Sequence, residues 1–313
     1  MTKLEGGTAM NAGNEKTGRM ASGKLINDPT KTSKVGDKIY FDPTPFKPQK
    51  TSGLTNILNW DFFSGVLLLL FIRRGSDCSI IGSACMVGPG IAITASHVVR
   101  EAVRDGFAIT AISIHQDRLE IWRALRIPHG DDDIAILCLE LASDIPDNRS
   151  FRQSILSTRL PRKGETVMIC GFRAWDMQYN FDSLFQLDFT GHVYISIGDV
   201  TDVYPEKRDA VMLPWPCFEI DTPTIGAMSG GPVFDENGNV IGILSTSFSS
   251  GPPSYASCIY PVIPREISPF WPTGIYSGQT SLFDLAQKTV RIVGKDQIRP
   301  GGSNGPDIYV PWT

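Results

Sequence analysis

A serine hydroxyl is a poor nucleophile at neutral pH. It becomes effective when a neighbouring base takes its proton and an acidic group orients that base. The chain carries residues of all three types, each in a local setting suited to the task. Ser229 lies in Gly226-Ala227-Met228-Ser229-Gly230-Gly231-Pro232, a glycine-lined turn ahead of short apolar runs. Glycines at 230 and 231 let the backbone turn sharply and leave room for a substrate carbonyl. His97 ends Thr94-Ala95-Ser96-His97, and Asp133 directly precedes the apolar run Ile134-Ala135-Ile136-Leu137. The order along the chain is His, Asp, Ser.

These three segments resemble those of trypsin-like serine proteases, and among them the bacterial glutamyl endopeptidases and HtrA-type peptidase domains. The resemblance runs from about Leu54 to Arg265. It implies that Ser229 is the nucleophile and that His97 acts as general base and then general acid. Asp133 would orient His97 and stabilise its imidazolium. Of the four histidines, only His97 has the family's Thr-Ala-x-His setting. The run Asp131-Asp132-Asp133 leaves Asp132 as an alternative; Asp133 is favoured because it abuts the strand as in the family's Asp-Ile-Ala pattern. The resemblance also places an oxyanion hole on the backbone N–H groups of Ala227 and Ser229, aimed at charge that develops only in the transition state.

Two residues depart from the family. Position 227 is usually Gly; if Ala227 must adopt positive φ, its methyl carries a penalty of about 1–2 kcal/mol. Met228 stands where trypsins carry an Asp that pairs with a new N-terminus, so activation of that kind is not expected. Ala227 therefore motivates a second reading, a weak or inactive protease-fold module that binds peptides or a partner protein. An esterase of the α/β-hydrolase type is excluded by chain order, which there runs Ser, Asp, His.

By the same resemblance, Gly242-Ile243-Leu244-Ser245-Thr246-Ser247 walls the primary pocket and pairs with substrate backbone by strand addition. Thr224, Ser245, Thr246 and Ser247 are then the substrate-binding residues, with Ser245 near Asp133. Glutamyl endopeptidases carry His where Leu244 stands, which argues against a glutamate preference. The pocket base near Pro223 and Thr224 lacks an acidic group, which argues against a basic one. A small or medium apolar residue is the expectation.

Residues carrying this chemistry need a scaffold. From Gly65 onward short β-branched and aliphatic runs alternate with Gly, Pro and Asp, the pattern of an all-β chain. Expected strands are Gly65–Ile72, Ser79–Val87, Ile91–Ala95, Phe107–Ile114, Arg118–Leu125 and Ile134–Leu139, then Thr166–Gly171, Leu184–Ile197, Val211–Asp221, Gly231–Phe234, Val240–Ser247 and Ala256–Pro261. Ser96 to Arg104 reads as a short helical turn carrying His97. The fold implied is two six-stranded antiparallel β-barrels of trypsin-like type, about 64–143 and 163–262, with a short C-terminal helix. Asp144 to Arg162 would connect the barrels, and the site would lie in the cleft between them. The domain division expected is a flexible N-terminal arm over 1–53, a peptidase domain over 54–265, and a C-terminal helix and tail over 266–313. The arm is too polar to offset its ordering entropy; its functional reading is a pro-segment or a partner-docking arm. Ser281 to Thr289 has helical spacing with Ser281 as N-cap and Gly294 as stop. Pro300 to Thr313 has no assignment.

Composition narrows the function classes. The net charge of −4 comes without a basic cluster, which argues against nucleic acid as a partner. The apolar run Val66 to Ile72 is too short to span a bilayer, so no membrane association is expected. The six cysteines form no close pairs of the CxxC kind, and no metal or cofactor is expected. Several sit in apolar runs as buried thiols do. With no leader visible ahead of an N-terminal Met, a reducing, cytoplasmic setting is the expectation.

Overall fold

The computed structural model describes residues 19–24, 40–43, 53–57, 63–74, 77–115, 118–128, 130, 132–144, 150–173, 178–182, 186–248 and 251–298. Pro300 to Thr313 and most of the N-terminal arm lie outside them.

The first barrel is built from β1 (Leu67–Arg74), β2 (Asp77–Gly88), β3 (Ile91–Ala95), β4 (Ile109–His115), β5 (Arg118–Arg126) and β6 (Ile134–Leu141). The second uses β7 (Thr166–Phe172), β8 (Val193–Tyr204), β9 (Cys217–Ile220), β10 (Pro232–Phe234), β11 (Val240–Ser247) and β12 (Ser254–Cys258). Around the first, the order is β1-β2-β3-β6-β5-β4 and back to β1; around the second it is β7-β8-β9-β12-β11-β10 and back to β7. Every pairing in both rings is antiparallel, so the two halves share one topology. The all-β, two-barrel architecture is as the sequence implies.

Closure abolishes free strand edges and gives each strand an inward face. The continuous apolar runs of β1 and β6 have a further cause. Leu67, Leu68, Leu69 and Leu70 are all buried, as are Ile134 through Leu139. A strand covered on both faces loses the polar alternation that a solvated face would impose. β1 and β2 meet β7 across the seam, and β3 meets β11.

Helix α1 (Ser96–Arg104) follows β3 directly and buries Val98, Val99 and Ala102. Its start is the one expected from the sequence.

Several expected boundaries differ. Leu184–Ile197 is not one strand: Gln186–Gly191 pairs with Arg19–Lys24 and with Gln178–Asp182 on the first barrel's sheet, and β8 begins afresh at Val193. Val211–Asp221 shrinks to β9, because Asp209 Oδ1 accepts the N–H groups of Val211, Met212 and Leu213 and ties them into a turn. Ala256–Pro261 becomes β12 followed by a short 3₁₀ turn over Tyr260–Val262. The inter-barrel connection contains two short strands, Ser150–Gln153 and Ile155–Ser157, held because Phe151 and Leu156 are buried. The C-terminal helix α2 is only Leu282–Leu285. Ser281 caps it as expected, in a reciprocal box with Asp284. It stops early because Ala286 bridges to Val290 and Gln287 turns to φ 66°.

The segment after β12 packs on the domain. Trp271 stands edge-on to Trp122 at 4.9 Å and to Phe151 at 5.4 Å, joining the C-terminal segment, β5 and the connection between barrels. Trp271 is 3% exposed. Replacing it with alanine is expected to cost about 3–5 kcal/mol, read by urea denaturation. A loss under about 1 kcal/mol would mean that this aromatic cluster contributes little to stability.

Candidate active site

Asp133 is placed by β6 and aimed at the start of α1. Its backbone carbonyl accepts from Ser96 N at 3.0 Å, and its Oδ1 accepts from His97 N at 2.9 Å. Ala95 at the N-cap offers no side chain to the first turn, so the Asp133 carboxylate satisfies a donor that would otherwise be orphaned. The same carboxylate meets the His97 ring, with Oδ2 2.8 Å from Nδ1. Ser245 Oγ donates to that Oδ2 from β11. The Asp133 side chain is 3% exposed and that of His97 is 41% exposed, so the carboxylate is buried and the ring faces outward.

The alternative, Asp132, is otherwise engaged. Its Oδ2 is 2.6 Å from an Arg265 guanidinium nitrogen and its Oδ1 accepts from Ile134 N at 3.0 Å. Arg265 also donates to the Ile134 carbonyl. It thus pins the loop ahead of β6 from the far end of the second barrel. Sequence reasoning gave Arg265 no role; its partners lie more than a hundred positions away.

Ser229 stands in the turn between β9 and β10, half-buried. The turn crosses the seam. Ser229 O accepts from Ser83 N on β2 at 2.8 Å, and Ala227 O accepts from Ser83 Oγ at 2.7 Å. Gly230 has φ 83°, and a Cβ there would lie 2.1 Å from Thr94 Oγ1 and 3.1 Å from Ala95 N. Only glycine lets the serine turn come this close to the strand that leads into His97. A Cβ on Gly82 would meet Val98 Cγ1 at 2.7 Å and Ser229 O at 2.8 Å, so the neighbour of His97 and the serine flank the same glycine. Met228 is wholly buried, with its Cα 2.7 Å from where a Cβ on Gly171 would sit. An apolar plug thus anchors the turn from beneath.

Ala227 does adopt the left-handed conformation, at φ 75°. The turn forms despite a methyl penalty of about 1–2 kcal/mol. Its polar groups are almost all committed: Met228 N donates to Ile225 O, Gly231 N to Met228 O, and Gly230 N to Leu244 O. Among the described residues, the N–H groups of Ala227 and Ser229 and the Ser229 hydroxyl make no hydrogen bond.

Of the other residues expected to bind substrate, Ser245 occupies a β-bulge between Leu244 and Thr246, which turns its hydroxyl onto Asp133. It is 2% exposed, so any contact with substrate would be through its backbone. Thr246 and Ser247 are half-buried and pair with β12 on one side. Thr224 is buried with its Oγ1 3.0 Å from Ser254 Oγ, and Ser254 in turn donates to Thr222 O. Thr224 and Ser254 are thus held by a chain of hydrogen bonds running to Thr222 O.

The buried cysteines offer no rival nucleophile. None of the six forms a disulfide, and five are buried. Burial pushes the Cys85 and Cys217 thiols up to about 12 and raises Cys170 and Cys258 well above the usual range, so they stay protonated. Among the described residues there is no metal-ligating cluster of three or more side chains, and no helix is long and apolar enough to cross a membrane.

Residues 82–243, just over half of the 313-residue chain, match the family described as a trypsin-like peptidase domain. No curated protein matches the chain in sequence. Similar solved structures include Deg5, at 17% identity and TM-score 0.45, covering 65% of this chain and 88% of that one. The Rv3671c protease from M. tuberculosis in its active form gives 16% identity, TM-score 0.43 and coverage of 62% and 76%. The HtrA-type protease AlgW with tripeptide gives 19%, 0.41, and 62% and 56%.

Proposed function

The chain belongs to the trypsin-like peptidase domain family and has its serine protease fold; from that premise we propose that it is a serine endopeptidase. The observation that carries this reading is the pairing of Asp133 with both the backbone and the ring of His97, beside a serine turn with two uncommitted N–H groups.

In the proposed reaction a polypeptide lies along the seam, its backbone added to the Ser245–Ser247 edge of β11. Ser229 Oγ attacks the scissile carbonyl carbon while His97 Nε2 takes the hydroxyl proton. The carbonyl oxygen becomes an oxyanion held by Ala227 N–H and Ser229 N–H, each worth about 3 kcal/mol. Asp133 keeps Nδ1 protonated and stabilises the imidazolium. His97 passes its proton to the leaving amine, the C–N bond breaks, and an acyl-enzyme on Ser229 remains. Water, deprotonated by His97, releases the acid by the same steps in reverse. A small or medium apolar residue remains the preference we propose for the primary pocket, since the hydroxyls of Thr224 and Ser254 are buried and bonded to each other.

The second reading, a weak or inactive protease-fold module, keeps its motive, since Ala227 sits at φ 75° where its methyl is strained; we favour the enzyme because the Ala227 and Ser229 N–H groups are uncommitted beside the Asp133–His97 pair. We place the activity in the cytoplasm, where six cysteines outside any disulfide suit a reducing medium. We take 54–265 as the peptidase unit, with Arg19–Lys24 and Tyr40–Pro43 paired to it and the segment around Trp271 packed on it, and the remainder of 1–53 as an arm available to a partner protein. Peptide-library cleavage profiling tests activity and pocket preference together. Selective cleavage after small or medium apolar residues is expected; cleavage confined to sites after Glu, Lys or Arg would refute the pocket assignment, and no cleavage would refute the enzyme.

A further inference from the structure

We propose that Ser83 is a positioning residue that holds the oxyanion-hole turn in its left-handed form. The inference rests on the protease reading above. Ser83 is fully buried on β2 and makes four hydrogen bonds, three of them across the seam. Its N–H donates to Ser229 O at 2.8 Å, and its Oγ donates to Ala227 O at 2.7 Å. That Oγ accepts from Phe172 N on β7 at 3.0 Å, and the Ser83 carbonyl accepts from Thr94 Oγ1 at 2.7 Å. One residue thus ties together the strand leading to His97, the second barrel and both carbonyls that flank Met228-Ser229.

The geometry gives the clasp a specific task. Holding Ala227 O fixes the peptide plane between Ala227 and Met228, and holding Ser229 O fixes the plane after Ser229. The one plane between them, Met228–Ser229, is held by Gly231 N donating to Met228 O, and Ala227 N–H and Ser229 N–H remain as the uncommitted donors. Ala227 sits at φ 75°, where a methyl is strained, so it has a driving force to rotate out. The Ser83 hydroxyl opposes that rotation. In a chain with glycine at this position the strain would vanish, and the clasp would matter less.

The dependence on background is what a merely structural serine would not produce. The experiment compares second-order rates of Ser229 labelling by a fluorophosphonate in four proteins: the natural chain, Ser83→Ala, Ala227→Gly and the double variant. Thermal unfolding and near-ultraviolet circular dichroism establish folding for each. Ser83→Ala is expected to label about 100-fold more slowly, the scale of a lost oxyanion donor. Measured against Ala227→Gly alone, adding Ser83→Ala is expected to cost about tenfold or less. Equal losses in both backgrounds, or a loss under about threefold in the first, would overturn the clasp while leaving the protease reading intact. Absence of labelling in the natural chain would overturn the protease reading and the clasp with it. Should Ser83→Ala not fold, Ser83→Cys keeps a side chain in place with only a weak donor, and the same comparison applies.

Discussion

Replacing Ser229 with alanine is expected to lower kcat on a cleaved peptide by about a million-fold. The unfolding midpoint should move by less than about 4 °C. The two expectations have separate physical grounds. The rate falls because no other group at the turn can form the acyl-enzyme, and the buried cysteines stay protonated. Stability changes little because the hydroxyl is bonded to nothing among the described residues, while the bond that anchors the turn is made by the Ser229 carbonyl. A large drop in stability would recast Ser229 as a structural residue. Activity that survives the substitution would point to a different nucleophile or to a contaminating protease.

Asp133→Asn is expected to cost about 10⁴-fold in kcat. The carboxylate accepts His97 N on Oδ1, and both His97 Nδ1 and Ser245 Oγ on Oδ2. An amide has one oxygen, so one of these donors must face an NH₂ group. If that donor is the ring, Nδ1 becomes an acceptor and the proton moves to Nε2, where it blocks uptake of the serine proton. If it is the backbone of His97, the first turn of α1 loses its cap. Asp132→Asn serves as the comparison. Its carboxylate faces Arg265, so its loss should fall on stability rather than on kcat. A loss in kcat larger than that of Asp133→Asn would reassign the orienting role to Asp132.

Both predictions rest on residues whose setting is local in sequence, which is why they could be read there. His97 lies at the junction of a buried strand and a helix, Asp133 abuts an apolar run, and Ser229 sits between glycines that only a tight crossing explains. The barrels were legible for the same reason, since alternation and turn residues act over a few positions. What escaped depends on partners far along the chain. Ser83 and Arg265 act through residues more than eighty positions distant. A hint exists for Ser83: a hydroxyl inside the run Ile80 to Val87 must find a partner when buried. Nothing local could have told that Gln186–Gly191 pairs on the first barrel's sheet while β8 belongs to the second, because both read as β-forming stretches. The short helix after Ser281 was misjudged in length because the Ala286–Val290 bridge competes with helical spacing.

The most direct test of a working His97–Ser229 pair is fluorophosphonate labelling of the full chain, followed by mass mapping of the adduct. A single adduct on Ser229 is expected, and it should disappear in His97→Ala while the protein stays folded. Labelling of Ser229 that proceeds equally well without the His97 imidazole, or no adduct at all on the natural protein, would contradict such a pair.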